Sequence, residues 1–180
     1  MLFLHKIMGL KSKIAKRVLT SKLESVVREK RVFNLESAET AGVLWEFDQK
    51  ETFDQLKTEL CNFGIKPFGL CYCSSKKVSI PEEVNGFTKK QTSWAEIPNL
   101  NLVDDFIHQK FDILIDLTGQ KYFPLVYVTA LSEATFKIGY AGNAVNYFDL
   151  NIQFGERPET SQLADQILYY LKRINKTTIE

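Results

Sequence analysis

The chain has 180 residues, of which 44% are apolar and 25% charged, with a formal net charge of +1. That length and composition suit one globular domain with a substantial core, and they exclude a disordered chain, a collagen and a small disulfide scaffold. The charge is unevenly placed: residues 1–31 hold nine Lys or Arg and two Glu, a net +7, while the other 149 residues hold 14 basic and 20 acidic side chains, a net −6.

Read in chain order, residues 10–31 form a basic helix with Leu10, Ile14, Val18, Leu19, Leu23, Val26 and Val27 at spacings of three and four. Residues 1–35 make a basic helical extension and residues 36–180 a single α/β domain. Residues 41–47 (AGVLWEF) read as a buried strand, residues 51–63 as a helix ended by Asn62 and Gly64, and residues 68–73 (FGLCYC) as a second strand. That succession is a βαβ unit. Residues 74–100 are irregular, with a short extended piece within 86–94. A helix at 102–108 leads to the clearest strand, residues 111–117 (FDILIDL). A helix at 124–133, a short strand at 135–138, an edge strand at 147–154 and a closing helix at 158–174 complete the pattern. Alternating strands and helices predict a three-layer, Rossmann-like domain with a mostly parallel sheet of five or six strands.

Cys61, Cys71 and Cys73 form no even framework, which suits a reducing compartment. No run of residues reaches the ~18–20 apolar positions that span a bilayer, and the start of the chain has no signal-peptide pattern. The expected location is therefore the cytoplasm. His5 and His108 are the only histidines and the cysteine spacing is wrong for zinc, so no metal site is expected.

In parallel sheets, ligands bind beyond the carboxyl ends of the strands. Glu46, Asp48 and Asp116 fall there, and Thr118 and Gly119 lie in the next loop. These five are the candidate ligand-binding residues, with Asp48, Asp116 and Thr118 the candidates for chemistry. Asp48 and Asp116 could meet across the sheet tip and hold Mg²⁺ with substrate phosphates, or divide acid and base roles. The simpler structural reading has such carboxylates cap helices, with Asp48 capping the helix from Glu51. Asp112 reads as solvated or paired with Lys110. No G-x-G-x-x-G, P-loop or G-x-S-x-G motif is present, which disfavours classical NAD binding, P-loop NTPase activity and a nucleophile elbow. No cofactor is expected, with Mg²⁺ entering only if the strand tips carry chemistry.

Two segments carry a resemblance. The run FDILIDLTGQKYFPLVYVTALSEATFKIG (residues 111–139) and the first strand with its helix resemble an uncharacterised family of small cytoplasmic proteins of Bacteroidota. That resemblance implies the fold and a bacterial cytoplasm and supplies no catalytic residue. Asp116, Ser132, Lys137, Ile138 and Gly139 also resemble, over about thirty residues, the outline of the N-terminal domain of heptosyltransferase-like glycosyltransferases. Those enzymes use a second similar domain for which this chain has no room, so the likeness concerns topology.

Two functions stay open. One is a noncatalytic binding or assembly protein that uses Lys11, Lys13, Lys16, Arg17, Lys22, Arg28, Lys30 and Arg31 to engage a protein or ribonucleoprotein partner or a membrane surface, without sequence-specific DNA binding. The alternative is a small enzyme or ligand-binding domain for a phosphorylated or nucleotide-like molecule at the strand tips.

Overall fold

The computed structural model describes residues 2–174, with side chains described from residue 9 onward. The elements are α1 (Leu2–Leu23), β1 (Thr40–Glu46), α2 (Lys50–Asn62), β2 (Lys66–Cys73), β3 (Gly86–Thr88), α3 (Leu100–His108), β4 (Ile113–Asp116), α4 (Phe123–Leu131), β5 (Phe136–Gly139), β6 (Leu150–Asn151) and α5 (Thr160–Arg173). Six parallel strands form one sheet in the order β3-β2-β1-β4-β5-β6. The α/β three-layer reading of the sequence therefore holds. The register sets Leu44 of β1 beside Leu70 of β2 and Asp116 of β4.

Alternation along the strands divides the core between the two faces of the sheet. Val43, Trp45, Cys71, Ile113 and Ile115 pack with Leu56 and Leu60 of α2 and Leu163, Ile167 and Leu171 of α5. Leu44, Leu70, Tyr72 and Leu114 pack on the other face with Leu19 of α1, Val103 and Phe106 of α3, and Leu125 and Val128 of α4. From the β1/β4 boundary the chain crosses outward in opposite directions, through α2 to β2 and through α4 to β5. Crossovers of one hand running in opposite directions must use opposite faces, and α2 and α4 do so. The connections thus part at the carboxyl ends of β1 and β4, which opens a crevice there.

The basic helix differs from the reading at its end. It stops at Leu23 rather than near residue 31, where the Ser25 hydroxyl and N–H both bond to the Lys22 carbonyl. Beyond it, tertiary hydrogen bonds outweigh helix propensity. The Arg28 guanidinium donates to the carbonyls of Ala134 and Thr135, both at 3.1 Å, and to Asp149 at 2.7 Å, and the Arg31 N–H reaches Thr135 O. Ala15 and Leu19 are buried against the domain, so α1 belongs to the helical layer that also contains α4. Among the described residues, no helix is long and apolar enough to cross a membrane.

Candidate functional site

The crevice is a cleft of about 460 Å³, within the range of small-ligand sites. It is bordered by Asp48, Gln49 and Thr52 after β1, by Leu117, Thr118, Gly119 and Lys121 after β4, by Tyr140 after β5, and by residues 157–161 at the start of α5. Three of the five expected ligand residues, Asp48, Thr118 and Gly119, line this cleft. Glu46 and Asp116 do not; their carboxylates are committed to the walls.

Asp116 is fully buried. Its Oδ1 accepts from the Thr118 N–H at 2.7 Å and the Thr118 hydroxyl at 2.6 Å, and its Oδ2 from the Thr129 hydroxyl at 3.4 Å. Burial pushes its carboxyl above the ordinary range against the pull of these bonds. Asp116 therefore pins the first residues of the β4–α4 loop. Gly119 and Gln120 follow with φ of +56° each, a left-handed pair that folds the loop back toward Tyr140. Both polar atoms of the Gln120 carboxamide are buried without a partner among the described residues.

Glu46 is the anchor of the opposite wall. It accepts from the Asp48 N–H at 2.8 Å, the Ser74 hydroxyl at 2.7 Å and the Ser74 N–H at 3.1 Å. Burial opposes its ionisation, but the hydrogen bonds from Asp48 and Ser74 together outweigh that and hold it below the ordinary carboxylate range. Glu46, not Asp48, caps this end: Glu46 opens the 3-10 turn at Phe47–Gln49, and α2 starts after Gln49. Asp48 is left facing the cleft. A hydrogen bond shared with the Glu46 carboxylate, partial burial and the charge of Glu46 push its carboxyl up to about 6, with Lys121 pulling the other way. Glu46 and Asp48 therefore titrate as a coupled pair, with Asp48 the member pushed toward neutral pH.

The sequence reading missed Gln49, Lys121 and Arg157. The Gln49 carboxamide donates to Leu117 O at 3.3 Å and to the Thr160 hydroxyl at 2.8 Å, tying β1, β4 and α5 together at the cleft floor. The Arg157 guanidinium donates through one nitrogen to Thr118 O at 3.0 Å and Gly119 O at 2.9 Å. Neither Arg157 nor Lys121 has a carboxylate within ion-pair distance among the described residues. Thr160 and Ser161 place the first turn of α5, a 14-residue helix, at the same opening. The signal available in sequence was Arg157-Pro158 directly before a helix, a cation at a helix start that leads nowhere until the strand order is known.

Several other expected residues have structural roles. Asp112 is partly exposed and, among the described residues, is not paired with Lys110: its carboxylate accepts from the N–H groups of Glu39 and Thr40 at the start of β1. Lys137 is buried, and its ammonium nitrogen donates to the carbonyls of Thr129 and Ala130 at the end of α4. Burial and the nearby Arg28 lower its pKa to about 7. Of the basic residues in the extension, Lys11 pairs with Glu96 at 2.6 Å, Arg28 is bound as described, Lys30 lies 4.0 Å from Asp149, and Arg31 lies over the Phe33 ring at 4.4 Å. Lys22 is half-buried, while Lys13, Lys16 and Arg17 are exposed.

A family model described as a family of unknown function (DUF6913) matches residues 11–174. The chain belongs to that family. The match to DUF6913 takes in most of α1, the whole sheet and every residue of the cleft. No curated protein and no solved structure matches the chain.

Proposed function

We propose that this domain binds a small phosphate-bearing molecule in the cleft at the β1/β4 switch point. The observation that carries this reading is the convergence of Lys121 and Arg157, two cations without carboxylate partners among the described residues, on one opening. The first turn of α5 opens at the same point, with Glu159 capping it and bordering the cleft, so Lys121 and Arg157 supply the positive charge for an anion. Arg157 spends one nitrogen on the loop carbonyls, which fixes its plane and leaves its other donors for an anion. Asp48, Gln49 and Tyr140 border the remainder of the cleft and suit the hydroxyls or ring of the rest of a ligand.

The binding function needs no catalysis. Asp48 supplies one group able to exchange a proton near neutral pH, which a reaction at this site would use. The three free cysteines, two of them buried, support a reducing cytoplasm as the working compartment. Calorimetric titration with inorganic phosphate and a panel of sugar phosphates and nucleotides tests the reading. At least one of these should bind, and Lys121→Ala and Arg157→Ala should each weaken it about tenfold. Absence of binding by the whole panel, or affinity unchanged in both variants, refutes the assignment.

A further inference from the structure

A second surface lies on α1, away from the residues that bury it. Ala15 and Leu19 face the domain, whereas Leu10 is 54% exposed and Ile14 39% exposed one turn later. Leu10 and Ile14 are four residues apart and so share a face of the helix. Lys13 and Arg17, also four apart, run along the neighbouring stripe, and Lys16 flanks it; all three are exposed and have no carboxylate partner among the described residues.

Trp94, 57% exposed, directly precedes Ala95 and Glu96, which border this helix. It sits in a tight turn closed by hydrogen bonds from the Ser93 N–H to Ile97 O at 2.8 Å and from the Glu96 N–H to Ser93 O at 2.9 Å. Glu96 adopts a φ of +61°, unfavourable for a side-chain-bearing residue. Its carboxylate is the one that receives the Lys11 ammonium at 2.6 Å. The same turn borders a small hollow with α1, lined by Lys11, Ser12 and Ala15 of α1, by Ala95 and Glu96, and by Phe123 of α4. The ion pair thus clamps a turn bearing an exposed tryptophan against a basic helix.

We propose that α1 and the Trp94 turn form a peripheral docking surface for an anionic lipid bilayer. The cations match the headgroup charge, and the adjoining leucine and isoleucine suit the acyl boundary. Tryptophan is the side chain that prefers the interface between the two. Nucleic acid would use the cations but has no apolar phase for Leu10 and Ile14, so lipid accounts for more of the surface. This surface is independent of the cleft.

The test uses the full chain with vesicles of phosphatidylcholine alone or with phosphatidylserine making up about a third of the lipid, followed by co-sedimentation and tryptophan emission. Trp45, the other tryptophan, is 2% exposed and gives a constant background. The expected result is salt-sensitive binding to the anionic vesicles with a blue shift from Trp94. Each cation contributes about fivefold, so Lys13→Gln, Lys16→Gln and Arg17→Gln combined should reduce binding about a hundredfold. Leu10→Ser with Ile14→Ser should weaken it while circular dichroism stays unchanged. Equal binding to both vesicle types, no binding to either, or a triple variant that binds as wild type overturns the proposal. So does binding to poly(U) RNA by a chain that ignores the anionic vesicles.

Discussion

Asp116 looks like a catalytic carboxylate by position, at the carboxyl end of a central strand, and its surroundings make it a structural one. Replacement by Ala and by Asn separates the two roles. In Asp116→Ala, the Thr118 N–H loses its acceptor inside a residue that is itself only 4% exposed, a cost of about 1–3 kcal/mol. The hydroxyls of Thr118 and Thr129 lose weaker bonds, each worth about 0.5–1.5 kcal/mol, and can rotate toward other acceptors. Relief of the buried carboxyl offsets part of this, leaving a net loss of about 2–4 kcal/mol, or roughly 4–16 °C in Tm for a chain of this size. Asp116→Asn keeps an oxygen at the Oδ1 position and gives up only the 3.4 Å bond to Thr129, so its cost should stay within about 1 kcal/mol. Urea unfolding of the two variants measures both numbers, and phosphate titration of Asp116→Asn should give an affinity close to wild type. The reasoning is refuted if Asn costs as much as Ala, or if Asp116→Asn folds normally and loses the ligand.

Other outcomes follow from the same contacts. Asp48 carries a folded pKa raised from 3.8 to about 6, so its contribution to stability is fully present below about pH 4 and is lost as pH rises through 6; Asp48→Asn should remove that slope from a series of urea midpoints. Sulfate, whose charge is constant over this range, should bind more tightly as pH falls through 6 and Asp48 turns from a repelling anion into a neutral donor, and Asp48→Asn should bind it without that dependence. Arg28→Ala removes three hydrogen bonds from a guanidinium that is 10% exposed and should cost about 3 kcal/mol in urea unfolding; a loss below about 1 kcal/mol contradicts the docking of the basic extension. In the native protein a thiol reagent should titrate Cys61 alone, because Cys71 and Cys73 are buried and burial, with Cys73 beside it, pushes the Cys71 thiol up to about 12. Reaction of two or three thiols before unfolding contradicts the packing.

Much of the fold was legible because apolar runs and their breaks map directly onto buried strands and amphipathic helices. FDILIDL reads as the clearest strand, and it forms β4, which lies between β1 and β5. The end of α1 was not legible. Val26 and Val27 continue the helical period, and the chain leaves it because Arg28 and Arg31 find carbonyls of Ala134 and Thr135 more than a hundred residues away.

The site was legible in part for a related reason. Position relative to strand ends selected Asp48, Thr118 and Gly119, which line the cleft. The same rule selected Glu46 and Asp116, whose partners Ser74 and Thr129 lie in other segments and turn them into wall anchors. Lys121 and Arg157 read as ordinary surface charges in the sequence. Their meeting depends on strand order, since only β4 lying beside β1, with α5 starting over the same end, brings the two loops together.

The most direct test of the account is to follow backbone amide resonances of the isotopically labelled protein during titration with inorganic phosphate. The account predicts saturable shifts concentrated at residues 118–121, 157–161 and 48–49, and their loss in Arg157→Ala. Shifts confined to the exposed lysines of α1, or none at saturating phosphate, would contradict it.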